Sequence, residues 1–551
     1  MSNKARRQSR MALGVLCILC MMWTVSAAPQ WNMTRGWGDY PRNATEAARF
    51  LEYSTWGPTS ESIAHLQQVG YSRFLDEQFE APSSGYPDFP NMPDTRDTVN
   101  CINECQRDNY TPYPLQTRFF KNALYGDDQL RQRVAFALHQ IIVVSAVDIG
   151  SIPRRFAPYL KVLDKNAFGN FRQLLYDITL NPAMGDYLDM AGSRATTPTT
   201  NPNENYPREV LQLFSIGLVQ LNQDGTTVMQ NGQPVPTYDQ NDVNAFSRLF
   251  TGWDYAPQQV TGTRNYLDNL TVLVRNRHDF NSKQLLQGVT LLPNQEPDKD
   301  LSDGLDNIFT HPNVGPFIGK QLIQHLVTSN PSPSYVRRIA EVFANNGAGV
   351  RGDLRAVVRA ILLDDEAWAY SAPPDFSKGH LKHPILMATN LLRALGARSA
   401  DGFGLSDGNI NPQIQLMGMD LFAPPSVFSY FSPSTGIPGG LRGPEFGTLN
   451  TSTVVRRANF VNTMVFSRIA VSLPNTPTGT SLDFSPLQPL ANNPEQLVLT
   501  LNTLMMSGRM TTATFDSIVN AVKAVASTNS LRRVQTAVYL IATSAQYQVS
   551  R

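Results

Sequence analysis

Cysteine and charge are what this chain has least of. Only four of its 551 residues are Cys, and charged side chains make up 17%. Cys17 and Cys20 belong to the extreme N-terminus, and beyond them no CxxC or HExxH spacing offers a ready zinc site. No GxSxG announces a serine nucleophile. Long runs of Lys or Arg are also missing, which argues against nucleic acid and anionic membrane surfaces as partners. Past the N-terminus no apolar stretch reaches the ~20 residues that a membrane-spanning helix requires.

What is present is the composition of a folded protein, with 42% apolar residues. The length suits several domains or one large, elaborated one. The first residues have the form of a secretory signal. Lys4, Arg6, Arg7 and Arg10 precede the apolar run MALGVLCILCMMWTV, and Val25-Ser26-Ala27 supplies small residues for a cut after Ala27. No lipobox residues precede Cys17 or Cys20. The expectation is a secreted or periplasmic protein with no transmembrane segment once residues 1–27 are removed. Those four basic residues leave 42 Lys and Arg against 45 Asp and Glu, a net charge of −3. Cys101 and Cys105 then remain as the only thiols. A CINEC spacing on a helical turn places their Cα atoms about 6 Å apart, so a local disulfide is expected. Metal binding there would need ligands that Asn103, Glu104, Gln106 and Asp108 do not clearly supply.

Apolar residues recur with helical spacing almost throughout, which predicts a mainly α fold: many helices, one small β-hairpin, and long Pro/Gly-rich loops. Residues 28–44 read as an exposed segment and 45–400 as a helical core. A loop-rich region spans 401–449, and residues 450–551 form helices packed on the core. The strongest helix is expected at 127–145, with Leu130, Val134, Ala137, Leu138 and Ile141 on its buried face and Arg131, Gln132 and Gln140 in other sectors. His139 on it reads as structural. His65 reads as solvated, and so does the trio His380, Lys382 and His383. Residues 81–114 read as an irregular loop. Strand signals occur only between Leu218 and Tyr238, where Asp224-Gly225 and Asn231-Gly232 punctuate alternating residues. Asn222-x-Asp224-Gly225 is a fragment of a calcium loop, but the later acidic ligands are absent.

The candidate chemistry clusters in two places. In NENYPREVLQLF, Asn205 is a plausible cap, while Glu209 in the first helical turn should be favoured as a carboxylate by the helix dipole. Thr237-x-x-Gln240 matches a capping box for the next helix, which closes at Thr251-Gly252-Trp253. In NRHDFNSKQLL, His278, Asp279 and Lys283 fall within six residues of a chain with only seven histidines. Glu204, Glu209, His278, Asp279 and Lys283 are therefore the candidate catalytic residues. Asn205, Arg208, Trp253 and His311 are candidate binding residues, and Glu209 and His278 are expected to share one cavity. The same residues also admit a purely structural role, with Arg208 paired to an acid.

In combination and in order, DDQLRQRVAFAL, NENYPREVLQLFSIGL, TYDQNDVNAFSRLFTGW, HDFNSKQLL, HPNVGPFIGKQLIQHL, RGDLRAVVRAILLDDEAW and MGMDLFAPPSV resemble the bacterial family known as domain of unknown function 1800. The resemblance runs from about Thr45 to the C-terminus. It places Glu204, Asn205, Arg208, Glu209, Trp253, His278, Asp279, Lys283 and His311 on motif positions. His139, His325, His380 and His383 fall outside them, and Pro207 stands where relatives usually carry Ala. The resemblance implies an exported helical protein with no established activity or cofactor. An exported sulfatase-like protein is implied as partner by gene neighbourhood. Two functions remain open: a hydrolase or lyase acting on an envelope or extracellular polymer by general acid–base chemistry, and a non-enzymatic export or assembly factor binding a secreted partner.

Overall fold

Thirteen residues of nearly unbroken burial, Gln129–Ile141, form a helix against which several others stack. Its apolar stripe is buried as the periodicity requires, but Gln132, Arg133, His139 and Gln140 are buried too. The expectation that Gln132 and Gln140 occupy an outer sector is corrected here. Helices Ser60–Glu80, Pro153–Asn166 and Val314–Leu326 pack around this one and leave it no solvated side. Gln132 is satisfied inside by Asp128 and Asp164, each 2.9 Å from Nε2. His139 sits between the hydroxyls of Tyr159 and Tyr430, a satisfied core histidine.

This computed structural model describes residues 38–368 and 378–550. The expected signal peptide and cleavage site lie outside the described residues. Among the described residues there are 21 α-helices, the fold is mainly helical, and the strands form two-stranded antiparallel ladders. Among the described residues no helix is long and apolar enough to cross a membrane. The expected hairpin is present, with Met229–Gln230 paired to Gln233–Pro234 across Asn231-Gly232, both at positive φ (52° and 79°). Three further ladders depart from the single hairpin expected: Lys283–Gln284 with Thr290–Leu291, His380–Leu381 with Val549–Ser550, and Gly436–Ile437 with Leu441–Arg442. Each strand is two residues long, too short for alternation to register in sequence.

The loop expected over 81–114 contains a helix, Glu104–Tyr110, and the following helix Tyr113–Tyr125 also begins inside it. The first of these buries no residue, so no apolar stripe marked it. Cys101 and Cys105 are joined, with Cα atoms 5.1 Å apart. The trio read as solvated is not: His380, Lys382 and His383 are at most 5% exposed. His380 lies in a buried ladder strand, Lys382 follows it, and His383 caps the buried helix Pro384–Ala394. His65 is exposed and bonds Glu77. Helix Val314–Leu326 crosses Pro333–Ala344 closely because Gly315 and Gly319 present no side chain. A Cβ at 319 would stand 3.0 Å from Ile339 Cγ2. The C-terminal helices Thr451–Phe466, Pro494–Met506, Thr512–Ala524 and Ser530–Thr543 pack on one another, and Pro494–Met506 also meets Ala44–Ser54 and Pro384–Ala394.

Candidate functional site

Two helices carry the polar motif. Asn205–Gln212 begins with Glu204 in the cap position and no side-chain cap bond, so Asn205 is the first helical residue rather than a cap. Its amide donates instead to Asp189, 2.7 Å away. Gln240–Leu249 is capped by Asp239, whose carboxylate takes the amides of Asn241 and Asp242 while Asp242 answers the Asp239 amide. That box replaces the one expected from Thr237 and Gln240, and it shifts the helix start by two residues. Gln240, Asn244 and Arg248 then recur at four-residue intervals along one face.

Those three side chains link the two motif segments. Arg208 pairs with Glu204 at 2.7 Å, and Gln240 Nε2 donates to Glu204 (3.0 Å) and Asn244 (2.9 Å). At the far end Arg248 grips both oxygens of Asp279 at 3.1 Å and donates to the Ser282 carbonyl. Burial pushes the Asp279 carboxyl up, but Arg248 and the Asn281 amide outweigh it and hold it below the usual carboxylate range.

Behind Asp279 lies a closed network centred on Asp300, in the first turn of helix Pro297–Thr310. His278 Nε2 lies 3.0 Å from Asp300 Oδ2 and Nδ1 lies 2.8 Å from the Thr251 carbonyl. Both partners are acceptors when Asp300 is ionised, so making both bonds requires both ring protons. Lys283 Nζ donates to the same Asp300 oxygen at 2.6 Å and to the carbonyls of Asp279 and Asn281. Burial raises the Asp300 carboxyl, and the bonds from His278 and Lys283 more than reverse that. The Thr251-Gly252 turn comes close behind: Gly252 has φ +92°, and a Cβ there would lie 3.0 Å from His278 Cβ. Only glycine meets both conditions without strain.

Glu209 stands apart from this network. It is the fifth residue of its helix, past the first turn, and half-buried, with Oε2 enclosed and lacking a hydrogen-bond partner. Burial raises its carboxyl and Arg208 lowers it less, which corrects the expectation that the helix dipole would favour the ionised form. Tyr187 and Tyr238 are near enough for its charge to raise their phenols further, after burial. Glu209 and His278 are not hydrogen-bonded, because Thr251 and Asp300 take both ring nitrogens. Trp253 is buried with an unpartnered Nε1. His311 is also buried and accepts the Asn313 amide, while Asn313 stitches the Ile216 and Val219 carbonyls and the Leu221 amide.

Beside the Arg248 end an open cleft of about 510 Å³ is lined by Asp242, Asn244, Arg248, Gln284, Gln287 and Gly288, among others. Sequence reasoning missed Asp300, Gln240, Asn244 and Arg248. The first was legible as an Asp in the first turn behind Pro297, and the others as a four-residue polar repeat. Among the described residues no three His, Cys, Asp or Glu side chains are grouped to hold a metal ion. No curated protein and no solved structure matches this chain. The family described as "Protein of unknown function (DUF1800)" matches residues 49–549, nearly the whole length, and the chain belongs to that family.

Proposed function

We propose that the protein is an exported binding factor whose open polar cleft seats an extended segment of a secreted partner protein. The closure of the Asp300 network supports this reading most directly. His278, Asp279 and Lys283 are buried and spend their polar atoms on Asp300, Arg248 or the backbone, which favours a structural role for them over proton transfer to a substrate. The cleft instead offers amides, two carboxylates and a guanidinium on a rigid underlay, the chemistry that recognises backbone and polar side chains. The sulfatase-like exported protein implied by the family resemblance is the partner to try. Calorimetric titration of that protein into wild type and into Asn244→Ala/Gln284→Ala should show binding weakened at least about tenfold by the double change, which is about 1.4 kcal/mol. Absence of wild-type binding overturns the proposal.

Glu209 favours a second reading, a hydrolase or lyase acting on an envelope or extracellular polymer. A half-buried carboxyl with a raised pKa and a free oxygen, beside two phenols, is a general acid in waiting. A polymer-degradation screen in which Glu209→Gln abolishes activity at unchanged Tm would establish it. Activity that survives the substitution would remove it.

A further inference from the structure

Among the described residues Arg133 is a buried ion without a hydrogen-bonded or ion-paired partner. It lies in the central helix, 3% exposed, and Nε and Nη2 are both enclosed and unpartnered. The face of Trp56 lies 5.1 Å from its guanidinium carbon, and the indole Nε1 is a second enclosed donor without an acceptor. A buried guanidinium requires an anion or a set of acceptors.

The surroundings add cations and remove the obvious counter-ion. Arg457 is 3% exposed, with Nε unpartnered, and donates through Nη1 to the Lys382 carbonyl. Glu52 is the carboxylate whose charge reaches Arg133, but Lys382 Nζ (2.8 Å) and Arg509 Nη1 (2.7 Å) already claim both of its oxygens. Glu445 is buried in a turn that meets the His380–Leu381 strand, and burial raises its carboxyl to about 7. His325, His380 and His383 complete the shell, all neutral because burial and Arg133 depress them. Hydrogen bonds fix the tautomers of two of them. His380 Nδ1 donates to the Val327 carbonyl. His383 Nδ1 accepts the Leu386 amide, so its proton is on Nε2, with no acceptor bonded among the described residues.

The unsatisfied groups are thus donors: two guanidinium edges, an indole and an imidazole. We propose that Arg133, stacked over the Trp56 ring, binds one small monovalent anion of chloride size inside the protein. Aromatic and neutral rings wall the place, which suits an ion that sheds water readily and disfavours a multivalent one.

The test uses the full chain in sodium gluconate at constant ionic strength, with bromide as probe. Crystals soaked in bromide should show an anomalous peak within about 3.5 Å of Arg133, the reach of a hydrogen bond to a halide. In solution bromide should raise Tm saturably by about 2 °C or more, and Arg133→Met should lose that response. If the variant does not fold, the wild-type crystal decides. A peak at Arg133 supports the proposal. No peak there, whatever salt does to the Tm, overturns it and leaves ordered water as the acceptor.

Discussion

Glu52 shows how much one side chain can hold. Its carboxylate, 2% exposed, receives Lys382, Arg509, Ser507 and Ser550 at 2.7–3.3 Å. Burial pushes its carboxyl up, but Arg509 and Lys382 together outweigh this and hold it well below the usual range. Its contribution is therefore complete above the ordinary carboxylate range and is lost as pH falls through the depressed folded-state value. Glu52→Gln should cost about 3–5 kcal/mol in urea unfolding at pH 7, because two cations stay buried without their anion; a loss under 1 kcal/mol would contradict the pairing. Glu445 has the opposite sign. Burial raises it to about 7, so its share of stability is whole below the ordinary Glu range and disappears as pH rises through about 7. Glu445→Gln should therefore make the protein more stable than wild type at pH 8, by roughly 3 kcal/mol on a shift of that size, and nearly indistinguishable from it at pH 4. Urea titrations at the two pH values measure the difference directly. Neither residue stood out in the sequence, since the partners of Glu52 come from segments more than 300 positions away.

Helices with a clean apolar stripe were legible, as Pro494–Met506 and Thr451–Phe466 show, because burial on one face imposes a period that survives in the sequence. The hairpin was legible for a different reason: Asn-Gly and Asp-Gly tolerate the positive φ that tight turns demand. What failed was everything that depends on distant partners. His380, Lys382 and His383 looked solvated because polarity in isolation means water, and only the fold supplies Glu52 and Val327 to receive them. Asp300, which bonds His278, escaped notice because it lies 22 residues further on. Helix Glu104–Tyr110, with no buried residue, leans on its covalent clip and on surface bonds such as Arg107 to the Pro474 carbonyl. Replacing Cys101 and Cys105 by Ser should cost about 2 kcal/mol on the chain-entropy account of a five-residue loop. Amide exchange should speed up across 101–110 and stay unchanged in Gln129–Ile141; loss of protection in the central helix would show that the clip supports more than its own segment.

At the scale of the whole molecule, the two ends of the described chain are tied to the same centre. Val549–Ser550 pairs with His380–Leu381, Ser550 bonds Glu52, and the buried Tyr547 donates to the Met387 carbonyl with Lys382 Nζ 4.4 Å from its ring centre. Deleting residues 546–551 removes a buried aromatic and a strand together. A loss of more than about 4 kcal/mol is expected, given that truncating one buried Phe or Trp already costs 3–5. Limited proteolysis at 25 °C should cut the truncated chain throughout the Pro494–Thr543 helices, and resistance equal to that of wild type would refute the claim. Synthesis runs from the N-terminus, so Tyr547 and Ser550 reach this centre only after Glu52 and Lys382 have been made. Until they emerge Glu52 lacks one hydroxyl, Lys382 has no ring beneath it, and the strand at His380 has no neighbour. A chain whose synthesis stops before Tyr547 lacks all three contacts and is therefore marked by its own instability, which proteases can read without any dedicated signal.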